Sequence, residues 1–244
     1  MRSALLALIA SFVLPWNSFA QVPSLTEGDT FEGRPPGRWQ RVLDNHSSSY
    51  LVAYYEAFHC PKGGFGANYD ALVYSGNRLV SPGESVVIEA DDPFKCSGNV
   101  NAAIFSDGHE EGDPRYLDAL YSTRRGAYRA LGESIRLLNS IQSDHEPIPH
   151  VIDALTARNK ASLAEKTWTA HGYIVVLSSV LQMLTDTRTG HHRLPSDNDG
   201  RKLPTVEDVM NATGLSRDEA RAIVVSKRLE GWKSLLENNL QPGW

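Results

Sequence analysis

The sequence predicts an α+β fold with two domains: an N-terminal β-sandwich over residues 38–107, then an α-helical bundle domain over 113–244. Three observations predict it. Residues 38–107 hold several short runs rich in Val, Tyr, Phe and Ile with turn residues between them. From Asp113 onward the apolar residues recur at the helical period. Two helix-start signatures, Thr205-Val206-Glu207-Asp208 and Ser216-Arg217-Asp218-Glu219, then punctuate the C-terminal stretch.

Residues 1–20 have the three regions of a secretory signal peptide. Arg2 supplies the positive end, Ala4–Leu14 the apolar core, and Pro15 breaks it. Ser18-Phe19-Ala20 then forms a small-residue cleavage site, so the mature chain is expected to begin at Gln21. The apolar run is too short to cross the ~30 Å of a bilayer's hydrocarbon. The whole chain carries a formal charge of −5, and loss of Arg2 with the leader makes it −6. Such a chain has no global attraction for nucleic acid or anionic lipid. The apolar segment Tyr173–Leu184 is broken by two serines and is also too short to span, so it is expected in a core, with no membrane insertion after the leader is removed.

Residues 21–37 read as a mobile linker, since Thr26–Pro36 offer Gly, Asp, Glu and a Pro-Pro pair but little to bury. Trp39–Leu43 alternates and stops at the turn pair Asp44-Asn45. Tyr50–Phe58 is apolar on both faces, as a central strand between two layers requires. Ala71–Tyr74 reads as a third strand, Pro82-Gly83 turns the chain into Ser85–Glu89, and Val100–Phe105 alternates until Asp107-Gly108. Lys62–Gly66 is glycine-rich without phosphate-loop spacing and reads as a flexible loop. Cys60 and Cys96 are the two cysteines; export to an oxidising compartment favours one disulfide, stabilising by roughly 3–4 kcal/mol on the chain-entropy model.

In the helical domain, Asp113-Pro114 is a helix start, and Leu117, Leu120, Tyr121, Tyr128, Leu131, Ile135, Leu138 and Ile141 form one stripe. Arg124, Arg125, Arg129, Glu133 and Arg136 fall largely outside it. Helices are expected over about 150–165 and 168–184, a polar loop over 185–204, and a helical hairpin over 205–240.

Two resemblances follow from these residues. The strand ending in Asn45-x-Ser47, the apolar strand after it, and Leu79-x-x-Pro82-Gly83-Glu84-Ser85 before another strand resemble the immunoglobulin-like or fibronectin-like modules of secreted bacterial proteins. From Val206 to Leu240 the chain resembles the helix-hairpin-helix of competence-type DNA-uptake proteins and some secretion-system components. That resemblance implies a hairpin at Gly214, Leu215 and Ser216 presenting backbone N–H groups to a phosphate, with Arg228 on the following helix. The chain departs from the pattern where Ala212 replaces the first hairpin glycine, and Asp218 and Glu219 set negative charge beside the phosphate position. Capping and packing explain the same residues.

Asp107, His109, Glu111 and Asp113 fall at alternate positions around glycines, a weak calcium-like pattern that departs from EF-hand spacing. A polar turn ending in a helix cap is the simpler reading. His171, on an apolar helix, reads as a core histidine rather than a ligand. No nucleophile motif, metal-ligand spacing or catalytic set stands out, so no catalytic residue and no cofactor is assigned. Asn45-His46-Ser47 and Asn211-Ala212-Thr213 match the glycosylation acceptor pattern by coincidence in a chain of bacterial character. The expectation is an exported, periplasmic or secreted, non-catalytic binding or scaffolding protein whose partner is another envelope protein or an extracellular ligand. Nucleic-acid binding through the terminal hairpin and a hydrolase with an unrecognised site are the alternatives.

Overall fold

The computed structural model describes residues 22–32, 39–61, 63–74, 79–90, 97–143, 146–185, 194 and 203–240. The expected leader at 1–20 and Cys96 of the expected disulfide lie outside the described residues; of Cys60 only the backbone is described. The chain is mixed α/β, with two antiparallel sheets and five helices among the described residues. One sheet has the order β1 (Leu25–Glu32), β2 (Trp39–Asn45), β5 (Ser85–Ala90). The other has the order β4 (Gly63–Asp70), β3 (Leu51–Cys60), β6 (Ser97–Phe105), β7 (Glu110–Gly112). Helices α1 (Pro114–Ser143), α2 (Ile148–Ser162), α3 (Trp168–Thr185), α4 (Val206–Thr213) and α5 (Arg217–Glu237) follow.

The four-stranded sheet is buried on both faces, which the doubly apolar β3 foretells. Tyr54, Ala103 and Phe105 pack with Leu25 and Leu43 of the other sheet. Ala53, Tyr55, Ala57, Ala102 and Ile104 pack against Ala119, Leu120 and Tyr121 of α1. The helical core joins α1, α2, α3 and α5 around Leu131, Leu138, Leu155, Val176, Leu177, Leu229, Trp232 and Leu236, all fully buried. Helix α4 stands apart, packing Val206 and Val209 on Ala220 of α5.

Three expectations are corrected here. Residues 25–32, read as belonging to a mobile linker, form β1, antiparallel to β2 with a register shift between Glu27 and Thr30. The strand was concealed because it lies at the edge of its sheet, where Val22 and Leu25 fill the core while Thr26 and Glu27 are exposed. Gly63–Asp70, whose start read as a flexible loop, forms β4. Its glycines answer to packing: a Cβ on Gly66 would overlap the Tyr55 hydroxyl, and one on Gly64 would crowd the Phe58 carbonyl oxygen. Ala71–Tyr74, read as a strand, is a turn. Its apolar character serves the helices instead, since Leu72 and Val73 belong to the helical core.

The β2–β3 turn is organised by Asn45, which is 1% exposed. Its Nδ2 donates to the carbonyls of Ser49 (2.9 Å) and Val80 (3.0 Å), and its Oδ1 accepts from Ser47 N and Oγ. A glycan has no room on this nitrogen.

Candidate functional site

The groove between α1, α4 and α5 combines volume with mixed chemistry. It holds about 570 Å³ and opens to solvent. Val209 and Ile223 give an apolar floor beside Ser226, whose hydroxyl donates to Asn139 Oδ1 at 2.8 Å. Asp208, Lys227 and Glu230 stand on the exposed rim. The two capping boxes at its end fold as expected. Thr205 and Asp208 start α4, Ser216 and Glu219 start α5, and Gly214 closes α4 in the left-handed conformation at φ 70°.

These same bonds occupy the hairpin that the sequence marked for phosphate contact. Gly214 N donates to Met210 O at 2.8 Å, Leu215 N reaches Thr213 Oγ1 at 3.4 Å, and Ser216 N donates to Glu219 Oε2 at 2.9 Å. The Glu219 carboxylate therefore sits where an anion would meet the helix N-terminus. Arg228 is about 18 Å farther along α5, at 1.5 Å per residue, with its Nη1 3.8 Å from Met183 Sδ. Gly214, Leu215 and Ser216 come together; Arg228 does not join them.

The acidic segment Asp107–Asp113 divides its ligands among separate tasks. Asp107 accepts from Ser49 Oγ (2.6 Å) and His109 N (3.0 Å), Glu111 accepts from Ser24 N (2.9 Å) and lies 3.1 Å from His109 Nε2, and Asp113 accepts from Arg115 N (2.9 Å) at the start of α1. Among the described residues no three such side chains group to hold a metal ion.

A polar cluster that the sequence did not bring together lies between the four-stranded sheet and the helices. Arg124, expected outside the apolar stripe, is buried; its Nε donates to Asp70 Oδ2 at 2.6 Å and its Nη1 to the Asn239 carbonyl at 3.0 Å. Asp70 also accepts from Leu72 N, and the Leu72 carbonyl accepts from Trp232 Nε1 at 2.7 Å. The end of α5 is thus tied to the turn after β4. Beside this cluster, Thr123 Oγ1 donates to the Ala119 carbonyl, Asn68 Nδ2 donates to Thr123 Oγ1 at 2.6 Å, and the Tyr74 hydroxyl donates to Asn68 Oδ1. His171 Nε2 lies 2.8 Å from that hydroxyl. His171 is not a core histidine: its side chain is exposed at the edge of the helical layer. The partial burial of its ring still lowers its pKa, and burial raises that of Tyr74. Four residues from three elements and a turn form one chain that periodicity could not reveal, because its members lie far apart in sequence and meet only in the fold.

Among the described residues no helix is long and apolar enough to cross a membrane. Comparison with known proteins finds no match to this chain among family models, curated proteins or solved structures.

Proposed function

We propose that this chain is an exported, non-catalytic binding or scaffolding protein of the bacterial envelope or exterior, and that the α1–α4–α5 groove receives a segment of a partner protein. The observation that carries the reading is the groove itself: an apolar floor for an anchoring side chain inside a rim of both charges, the composition of a recognition pocket. The buried pairs Arg124–Asp70 and Asn68–Thr123 are bonded within the fold, which favours a structural role for them over catalysis.

The sheets support the rest of the proposal. Lettered in chain order, the strands of one sheet are A-B-E and those of the other C′-C-F-G, an order that fits an immunoglobulin-like or fibronectin-like sandwich. An even cysteine count in an exported chain favours one disulfide, between Cys60 and Cys96, formed in an oxidising compartment.

The test is capture from the envelope fraction of the host with purified protein and with an Ala212→Trp variant. Ala212 is exposed on α4 and lines the groove, so indole at this position fills it and leaves the core intact. Proteins retained by the native chain and lost with Ala212→Trp support the reading. An unchanged set, or an empty one, overturns it. Deleting the hairpin would not serve, because Leu229, Trp232 and Leu236 of α5 are core residues.

A further inference from the structure

We propose a second binding site, for a carbohydrate ring, at the edge of the helical layer where Trp168 and His171 meet the aromatic residues of β3 and α1. Five rings from four places in the fold form a continuous ribbon. Tyr116 stacks on Tyr55 with centroids 4.7 Å apart, and Tyr55 meets the edge of Trp168 at 5.4 Å. Trp168 meets His171 at 5.8 Å, and His171 meets Tyr74 at 6.0 Å. His171 is exposed, Tyr116 and Trp168 are half-buried, and the glycine at position 66 leaves room for the Tyr55 hydroxyl.

The hydrogen-bond chain beneath this ribbon fixes what His171 offers. Thr123 donates its single hydroxyl proton to the Ala119 carbonyl, so it must accept from Asn68 Nδ2. That orientation turns Asn68 Oδ1 toward Tyr74, which donates to it. The Tyr74 oxygen must therefore accept, and His171 Nε2 carries the proton. In the neutral ring Nδ1 is left as an acceptor. Neither His171 Nδ1 nor Trp168 Nε1–H has a hydrogen-bond partner among the described residues.

Trp168 and His171 are three residues apart on α3 and share a face. Together they present one donor, one acceptor of fixed tautomer and adjoining aromatic surface. A pyranose matches this set: its hydroxyls both donate and accept, and its C–H face lies on aromatic rings. A nucleobase would stack as well, but a nucleic acid also needs cations, and Arg115, which stacks over Tyr116 at 5.7 Å, is bonded to Asp113 at 2.7 Å.

The site is separate from the groove, so either proposal can fail alone. The experiment uses the purified full chain with maltotriose, cellotriose and chitotriose, each at about 10 mM, a range that reveals millimolar affinity. The readout is the Trp168 indole N–H resonance, assigned with Trp168→Phe. At least one trisaccharide should shift it, and His171→Phe, which keeps a ring but removes the acceptor, should weaken that binding about tenfold or more while leaving the unfolding temperature near the native value. No shift with any of the three sugars overturns the proposal. So does a shift that His171→Phe leaves unchanged, or one produced only by an oligouridylate.

Discussion

Along its α3 side, α1 meets its neighbour backbone to backbone; along its sheet side, it meets β4 through charged and polar side chains. At the first seam Gly126 and Gly172 face each other's helices reciprocally. A Cβ on Gly126 would overlap the Thr169 carbonyl oxygen, and one on Gly172 the Thr123 carbonyl oxygen. At the second seam Arg124 and Asp70 are both buried and bonded, with Asn68 and Thr123 alongside. The α3 seam leaves no volume for a side chain, so its strength is shape. The sheet seam encloses charge, so its strength is pairing, and each partner becomes a liability without the other.

That contrast predicts its largest effect at Arg124. Arg124→Met leaves the Asp70 carboxylate buried without its counter-ion and should cost about 3–5 kcal/mol in urea unfolding. Adding Asp70→Asn removes the stranded charge and keeps an acceptor for Leu72 N, so the double variant should recover at least half of the loss. If the double variant is as unstable as the sum of the singles, pairing is not what holds this seam.

The α3 seam gives a test of sign. By helix propensity alone, Gly→Ala in a helix interior should stabilise by up to about 1 kcal/mol. At Gly126 or Gly172 the overlap with backbone should reverse this to a loss of about 2–3 kcal/mol, because overpacking here forces the helices away from each other. Gly132 on the same helix is the internal control. A Cβ there would rest 3.7 Å from Lys233 Cε, an ordinary contact. Gly132→Ala should therefore raise the unfolding midpoint while Gly126→Ala lowers it; the same sign at both positions would refute the close-approach account.

A third variant probes how α5 joins the sheet seam. Trp232→Phe removes the donor to the Leu72 carbonyl and leaves a small void in the helical core. The cost should be about 2 kcal/mol, shared between the lost hydrogen bond and the lost packing. A loss below about 0.5 kcal/mol would mean that the turn at Leu72 relaxes to find another donor.

The sequence made most of the helical layer legible. Periodicity marked Leu120, Leu131, Leu138 and Ile141 on α1, and local signatures marked both capping boxes, because those signals are carried by neighbouring residues. It marked β3 as doubly buried for the same reason. The edge strand β1 and the glycine-rich β4 were not legible, since the first needs few apolar residues and the second is shaped by Tyr55 and Phe58, which lie elsewhere in the chain. The apolar turn Ala71–Tyr74 misled in the opposite direction: its burial is supplied by helices that follow much later. Of the candidate residues, Gly214 and Ser216 folded as the caps that their types suggest. The groove itself was invisible, because Asn139, Val209 and Ile223 meet only after α1 and the hairpin pack.

The smallest expected effect lies at the outer end of the sheet seam, where pairing gives way to solvent. Burial holds His171 below the usual histidine pKa of 6.5 while the ring is folded against Trp168 and Tyr74. In the unfolded chain the ring takes up its proton near pH 6.5, but in the folded chain only at lower pH. The unfolded state therefore binds more protons in that interval, and stability falls as pH falls. The contribution is complete above about pH 6.5, declines below it, and levels off once the pH is under the folded-state value. His171→Gln keeps a donor for the Tyr74 hydroxyl but cannot titrate. Subtracting its stability–pH curve from that of the native chain should leave a shallow rise as the pH climbs towards about 6.5 and a flat line above. A difference curve that is flat throughout would mean the ring is solvated as fully in the folded chain as in the unfolded one. A falling curve would mean that the imidazolium is stabilised by the fold, so the hydrogen-bond chain would have to accept the charged form at its outer end.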